Sequence, residues 1–492
     1  MEKKNQTILE WYRENQNYID APCGGNGVCG KCKVRFKTEA PIPTPKEKEL
    51  LSSKELKENV RLACVCSMPE SEEMIFEPVG DFWRKIDRDS EHTKIPRQES
   101  LYRIAIDIGT TTLVMSLMEL QKGETLKSIT QLNPQRMYGA DVLTRIRTAN
   151  EGNLKKLQHL LKEALEDMFK RLLRETGVSA LKIEKVAIVG NTTMLHFLLG
   201  YSCEGLGKAP FTPVTLKMHK LNEKDCDIKI APQAVIYVLP GISTFIGADI
   251  VAGIYACDMD LKEEVGMLVD IGTNGEMVIG SRQGFWVAST AAGPVFEGGG
   301  VSYGMPAIEG AITHLTYEDN KWKYECLGNI LPVGICGSGL IDLLAGLYGN
   351  NFIDENGTLE ECYFENGYVI TKEPFIAISQ ADIRELQLGK AAIRAGVEIL
   401  KEKTTPRYVY VAGAFGSGLC LESAVKIGLF GAEDIERVTV IGNTALEGAK
   451  KFLMDPNGEE RLLRIVAVAK EIVLANDAGF EERYIENMQF TE

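Results

Sequence analysis

The chain has 492 residues, 45% hydrophobic and 25% charged, so it is long enough for roughly two to four domains. Its formal charge of −14 argues against non-specific nucleic-acid binding, which runs on clustered Lys and Arg. No run of about 18 apolar residues and no charged-then-apolar leader is present, so neither a membrane span nor a secretion signal is expected.

Five of the twelve cysteines, Cys23, Cys29, Cys32, Cys64 and Cys66, fall at the start of the chain. The other seven are scattered without metal-ligand spacing, as small buried residues in a reducing, cytoplasmic setting would be. Ala21 to Cys32 is a Gly-rich loop with the spacing C-x5-C-x2-C, and Cys64 follows Arg61-Leu62-Ala63. Four thiolates are what a 2Fe–2S cluster needs, two per iron, and the glycines let the backbone wrap it closely. Zinc is the competing reading, but a ribbon normally brings two C-x2-C knuckles. The stretch resembles the plant- and vertebrate-type 2Fe–2S ferredoxins, with a β-grasp fold, and that resemblance selects Cys64 as the fourth ligand. Cys66 remains the alternative. Thr7 to Tyr18 is the expected helix and Lys33 to Phe36 a strand, while the family's usual first strand is expected to be absent or very short. Residues 1–79 would form this domain. From 80 to 100 the chain is polar, charged and without period, a linker able to span several tens of ångströms.

Next comes the strand Tyr102 to Ile106 and the turn Asp107-Ile108-Gly109-Thr110-Thr111-Thr112, with a returning strand after it. A strand, a tight Gly-Thr turn and a second strand gather backbone N–H groups and hydroxyls beside a carboxylate. Such a turn suits phosphate oxygens, with the Asp near a metal ion or its water. Asn133 to Leu143 follows, then an amphipathic helix with Leu154, Leu157, Leu161, Leu165, Met168 and Leu172, stopped by Gly177. Lys185 to Val189 reads as a buried strand closed by Gly190-Asn191-Thr192. His196 in the next helix reads as a satisfied core histidine.

The turn returns as Asp270-Ile271-Gly272-Thr273-Asn274-Gly275. After it come the glycine-dense loop Ala291 to Gly300, including Gly298 and Gly299, and a small-residue helix from Ile335. Ser379 with Asp382 makes a capping box for a helix to about Lys403. The strand Tyr408 to Val411 ends in Ala412-Gly413-Ala414-Phe415-Gly416. Val438 to Ile441 is then closed by Gly442-Asn443-Thr444, echoing Gly190-Asn191-Thr192. These echoes read as an internal duplication: two similar α/β lobes, at 101–262 and 263–492.

This order of motifs resembles the duplicated ribonuclease H-like superfamily of actin, sugar kinases and chaperone ATPases. The resemblance matches Asp107, Gly109 and Thr110 to a first phosphate motif and Asp270, Gly272 and Thr273 to a second. Gly413 and Ala414 match the adenosine motif. It implies ATP in the cleft between lobes, with Thr111, Asn274, Gly298, Gly299 and Gly416 close by and Mg²⁺ held through water by the aspartates. A ferredoxin joined to this ATPase is similar to the ATP-dependent reductive activators of corrinoid proteins. The strings that carry this are Ala21 to Cys32, Asn133 to Leu143, Gly241 to Gly253, Ala288 to Gly300 and Ala412 to Gly418. An extra domain between ferredoxin and ATPase in longer members has no counterpart here. The family returns a corrinoid methyl carrier from Co(II) to Co(I), with an external low-potential electron donor; a homodimer through the ATPase domain is implied by resemblance alone. A plant-type cluster sits near about −400 mV, and each ~59 mV of one-electron mismatch costs a factor of ten. Two other readings stand beside this one. In the first the protein is a small-molecule kinase with a redox-sensing ferredoxin and Asp249 as base; in the second it is a nucleotide-gated electron carrier.

Overall fold

Thr7 caps the first helix, Ile8–Glu14: its hydroxyl accepts from the Glu10 N–H, while the Glu10 carboxylate receives the Thr7 N–H. The computed structural model describes residues 6–15, 18–68, 76–79, 100–413 and 418–490. Apart from Ser100, the predicted linker lies outside the described residues, as do Ala414 and Gly416. In the first domain, β1 (Lys33–Phe36) is flanked antiparallel by β2 (Val60–Leu62) and β3 (Phe76–Pro78). Ile8, Leu9 and Tyr12 of the helix bury against Val34, Phe36 and Leu62, which gives this small sheet its own core.

Two six-stranded sheets make up the rest. The first orders β6 (Thr125–Leu132), β5 (Thr112–Glu119), β4 (Tyr102–Ile108), β7 (Ile183–Gly190), β9 (Val235–Val238) and β8 (His219–Leu221). The second begins with β10 (Gly266–Ile271), β11 (Gly275–Ser281) and β12 (Gly284–Thr290). An insertion follows: β13 (Ala311–Glu318), β14 (Lys321–Cys326), β15 (Gly334–Ile335) and the hairpin β16 (Tyr368–Lys372) with β17 (Phe375–Ile378). The chain then returns as β18 (Tyr408–Gly413), β19 (Val438–Gly442) and β20 (Ala469–Glu471), giving the order β19-β18-β10-β11-β12-β20. Both sheets share one plan. Three antiparallel strands begin it, and a fourth lies parallel beside the first: β7 beside β4 and β18 beside β10.

That plan corrects the equivalence drawn from the Gly-Asn-Thr strings. Gly190 ends the fourth strand of its sheet and pairs with Ile108; its counterpart is Gly413, which pairs with Ile271. Gly442 ends the fifth strand, the counterpart of β9. The strings agree because each starts a helix with an Asn cap, a local solution that carries no information about strand position.

Division in space also differs from division in sequence. The helices Ala248–Ala256 and Thr444–Met454 lie against each other between the sheets. A Cβ at Gly448 would meet the Ala252 carbonyl at 2.1 Å, so their backbones touch there. Ala445, Leu446, Ala449 and Phe452, late in the chain, thus bury in the first lobe's core with Ile104 and Val186.

Candidate functional site: an acidic cleft and a thiol loop

A cleft of about 640 Å³ opens between the sheets, lined by both Asp-Ile-Gly-Thr turns. Asp107, Gly109, Thr110 and Thr111 contribute from one side, and Asp270, Gly272, Thr273 and Asn274 from the other. The volume suits a cofactor-sized ligand. The turns close differently: Gly109 N–H donates to the Thr112 carbonyl (3.0 Å), whereas Gly272 N–H reaches the Asn274 carbonyl (2.9 Å). Gly413 closes the floor with φ 101°, and a Cβ there would meet Asp270 Oδ1 at 2.6 Å.

The cleft is acidic. Burial pushes Asp270 up to about 8, helped by the charges of Asp249, Asp107 and Glu297. Burial likewise pushes Asp249 up to about 7, with Asp107 adding to it. Asp107 rises to about 6 through burial, opposed by a hydrogen bond from Asn443. Glu276 is also pushed upward by burial and by Asp249 and Asp270. Carboxylates pressed together in this way favour a cation among them. Among the described residues, no three His, Cys, Asp or Glu converge to ligate one ion directly. An ion here would take its remaining coordination from water and phosphate oxygens, as Mg²⁺ does.

Sequence reading missed the groups that hold the turns. Asn191 caps its helix with Oδ1 and donates from Nδ2 to Thr110 Oγ1 (3.0 Å). Asn443 does the same from the other lobe, donating to Asp107 Oδ2 at 2.7 Å. The Gly-Asn-Thr strings were the available signal. Asn133 donates to the Gly109 carbonyl (2.9 Å), and the fully buried Arg145 donates to the carbonyls of Thr110 (2.6 Å) and Gly139 (2.7 Å). Glu297 lies between the turns, where its Oε2 accepts from the hydroxyls of Thr111 and Thr273 (the latter at 2.9 Å). Gly298 and Gly299, expected beside the ligand, do not line the cleft. A Cβ on Gly298 would strike the Met305 backbone and one on Gly299 would strike Pro294, so these glycines let the loop fold on itself. His196 is buried, its Nδ1 against the Thr192 carbonyl (2.7 Å) and its Nε2 accepting from Val214 N–H (3.1 Å).

The thiols stand as two pairs. Cys23 and Cys29 have their sulfurs 3.3 Å apart, and Cys32 and Cys64 lie within hydrogen-bond reach of each other. Gly24, Gly25, Gly27 and Gly30 all adopt positive φ, a path that side-chain-bearing residues resist. It turns N–H groups of Gly25, Val28 and Cys29 toward the Cys23 sulfur, and those of Gly27 and Lys31 toward Cys64 and Cys29. The Cys29 thiol, with these amides, lowers Cys23 to about 4 despite its burial. Two thiol pairs in an amide-lined loop fit a binuclear cluster better than one tetrahedral ion. Cys66 is apart: buried, pushed up to about 12 by that burial, its thiol toward the Ser67 carbonyl.

The thiol loop packs on the segment that holds the first turn. Arg13 stacks on Tyr138 (4.4 Å) and donates to the Met137 carbonyl (2.5 Å) and the Gly24 carbonyl (2.9 Å). Arg136 pairs with Asp20 at 3.1 and 3.3 Å, and Ala140 N–H donates to the Pro22 carbonyl (2.9 Å). Lys31, beside Cys32, reaches the Val301 carbonyl of the second lobe at 3.3 Å.

Three family models match the chain: a 2Fe-2S iron-sulfur cluster binding domain over residues 1–69, the RACo middle region over 102–262, and the C-terminal ASKHA domain of RACo over 264–492. The RACo middle region therefore corresponds to the first lobe. The corrinoid activation enzyme RamQ of Eubacterium limosum is 31% identical over 428 residues, covering 80% of this chain and 71% of the relative. The [Co(II) methylated amine-specific corrinoid protein] reductase of Methanosarcina barkeri is 25% identical, covering 78% and 76%. A solved reductive activator for corrinoid, iron-sulfur protein superposes with a TM-score of 0.75 at 26% identity, covering 99% of this chain and 95% of that one. With a ferredoxin loop, a two-lobed ASKHA cleft and relatives matched over most of the chain in agreement, the chain belongs to the family of reductive activators of corrinoid proteins.

Proposed function

We propose that this protein is an ATP-driven reductive activator that returns the Co(II) form of a partner corrinoid methyl carrier to Co(I). One observation carries the reading: the segment 133–145 holds the first phosphate turn through Asn133 and Arg145, and holds the thiol loop through Arg136 and Ala140. A nucleotide that moves the turn thereby acts on the electron-carrying domain. Cys23, Cys29, Cys32 and Cys64 hold the cluster. Gly109, Thr110, Thr111, Gly272, Thr273 and Asn274 would hold phosphates, Asp107 and Asp270 a hydrated Mg²⁺, and Gly413 would face the nucleoside, with Ala414 and Gly416 assigned to the same motif by resemblance alone. When bound, the cluster supplies one electron per Co(II) and is replenished by an external low-potential donor, while ATP drives the uphill transfer. The chain's own part is to anchor the phosphates by hydroxyls and amides, to keep its carboxylates ready for a cation, and to hold the thiol loop against the lobes until the cleft fills.

This reading takes residues 1–79 as the cluster domain, 80–100 as linker, and 101–262 and 263–492 as the two lobes, in a cytoplasmic homodimer formed through the ATPase domain. No described helix is long and apolar enough to cross a membrane. The test is direct. Purified protein with reductant, Mg-ATP and a Co(II) corrinoid protein should give Co(I) absorbance that depends on ATP and on the cluster. ATP consumption stimulated by sugars and not by the corrinoid protein would overturn the reading in favour of a kinase.

A further inference from the structure

The phosphate turns already hold an anion, and it belongs to the protein. The Glu297 carboxylate accepts from the hydroxyls of Thr111 and Thr273, one from each lobe. Its other oxygen lies 3.3 Å from where a Cβ on Gly272 would be, directly over the second turn. These are the donors that the proposed function assigns to phosphate oxygens, and a hydroxyl donating to a carboxylate cannot donate the same hydrogen to a phosphate.

Glu297 is mechanically tied to the cluster domain. It ends the short helical turn Pro294–Glu297, capped by Gly298 at φ 81°. Gly298 packs against the backbone of Met305 and Gly299 against Pro294, while Gly304 N–H donates to the Val301 carbonyl (3.2 Å). The loop from 294 to 305 is therefore folded on itself, linked end to end by its own contacts. Val301, only four residues beyond Glu297, presents the same carbonyl to Lys31 in the thiol loop, adjacent to Cys32.

We propose that Glu297 is an internal phosphate mimic that latches the two turns in the nucleotide-free protein, and that a nucleoside triphosphate displaces it, shifting the 294–305 loop and releasing Lys31 from Val301. Nucleotide binding and release of the thiol loop from the second lobe then become one equilibrium. This rests on the ATP reading of the cleft and adds the residue that couples it to the thiol loop. In this state Glu297 acts as a positioning residue; its carboxylate competes with the ligand. Because the latch lowers the fraction of protein competent to bind, removing it raises the apparent affinity by the inverse of that fraction. By reciprocity, breaking the Lys31 contact raises affinity too.

The experiment uses the full chain with its cluster intact, checked by visible absorbance. The Mg²⁺ complex of a non-hydrolysable ATP analogue is titrated calorimetrically into wild type, Glu297→Gln and Lys31→Met, and hydrogen exchange is followed in peptides covering 20–33 and 298–305. The expected result is analogue binding to wild type with faster exchange in both segments. Glu297→Gln should bind roughly 5-fold or more tightly and exchange fast before any analogue is added. Lys31→Met should bind more tightly by a smaller factor. A Glu297→Gln protein that binds like wild type, or more weakly as a metal-holding or base role would require, overturns the latch while leaving the nucleotide reading intact. If wild type itself binds no analogue, both fall. Lys31→Met keeps the idea falsifiable even if the Glu297 variant does not fold.

Discussion

Asn443 of the second lobe donates from Nδ2 to the Asp107 carboxylate of the first at 2.7 Å, while its Oδ1 caps the helix Thr444–Met454 by accepting from Leu446 N–H at 2.8 Å. One side chain thus fixes a helix start and ties the two halves of the cleft together. The two jobs separate by substitution. Asn443→Ser retains a capping oxygen without adding a charge beside Asp107, so the melting temperature should change little, whereas Asn443→Ala should lose about 1 kcal/mol of stability. Both remove the donor to Asp107. A hydrogen bond to a charged group contributes about 1.5–3 kcal/mol, so Mg-ATP turnover should fall on the order of ten- to a hundredfold in each. Melting curves beside ATPase rates check this; an Asn443→Ser protein with full activity would sink it.

The raised carboxyl groups predict a pH dependence whose sign depends on the metal. Burial pushes Asp107, Asp249 and Asp270 up to about 6, 7 and 8, well above an ordinary aspartate. The folded protein therefore holds more protons than the unfolded chain from about pH 4 upward, and ligand-free stability should fall as pH rises through about 6 to 8. The open cleft moderates the size of this effect. ATP without Mg²⁺ should bind more weakly from pH 6 to pH 8, because ionised carboxylates repel phosphate. Mg-ATP should bind more tightly over the same range and release protons at pH 7, readable as a buffer-dependent binding enthalpy.

Asp270→Asn and Asp107→Asn should leave the fold intact, since each removes a desolvated acid and keeps its shape, and both should lose most ATPase activity. Asp270→Asn should also flatten the upper part of the stability–pH curve. Retention of full activity by both variants would move the proposed Mg²⁺ site elsewhere.

Pairing of Cys32 with Cys64 leaves Cys66 as a buried, neutral thiol. Cys66→Ser should keep the 2Fe–2S visible and electron paramagnetic resonance signatures, whereas Cys64→Ser should lose or grossly alter them. The opposite pattern would reassign the fourth ligand.

Arg136 meets Asp20 across the junction between the thiol domain and the first lobe, with Arg136 only 8% exposed. Removing one partner of a buried pair leaves the other uncompensated. Arg136→Ala should loosen docking without unfolding either domain. A larger radius of gyration in solution scattering, with the cluster spectrum unchanged, is the expected result.

Much of this was legible in the sequence because the chemistry is local. Glycines that must turn with positive φ, the three loop thiols Cys23, Cys29 and Cys32, and an aspartate beside a Gly-Thr turn all declare themselves within a dozen residues. Element positions followed equally well: the helix Leu154–Thr176 ends at Gly177, and Gln380–Lys401 starts after the Ser379 cap, because caps and apolar periods are set by near neighbours. What the sequence could not determine depends on distant pieces meeting. Thr444–Met454 belongs to the first lobe's core, since its apolar face finds Ala248–Ala256 rather than the strands preceding it. The matching Gly-Asn-Thr strings mark helix starts, and only the sheet order reveals that they occupy different strands. Glu297 reads in sequence as one acidic residue in a glycine-rich loop. Its place between Thr111 and Thr273, 186 and 24 residues away, exists only once two lobes close around it.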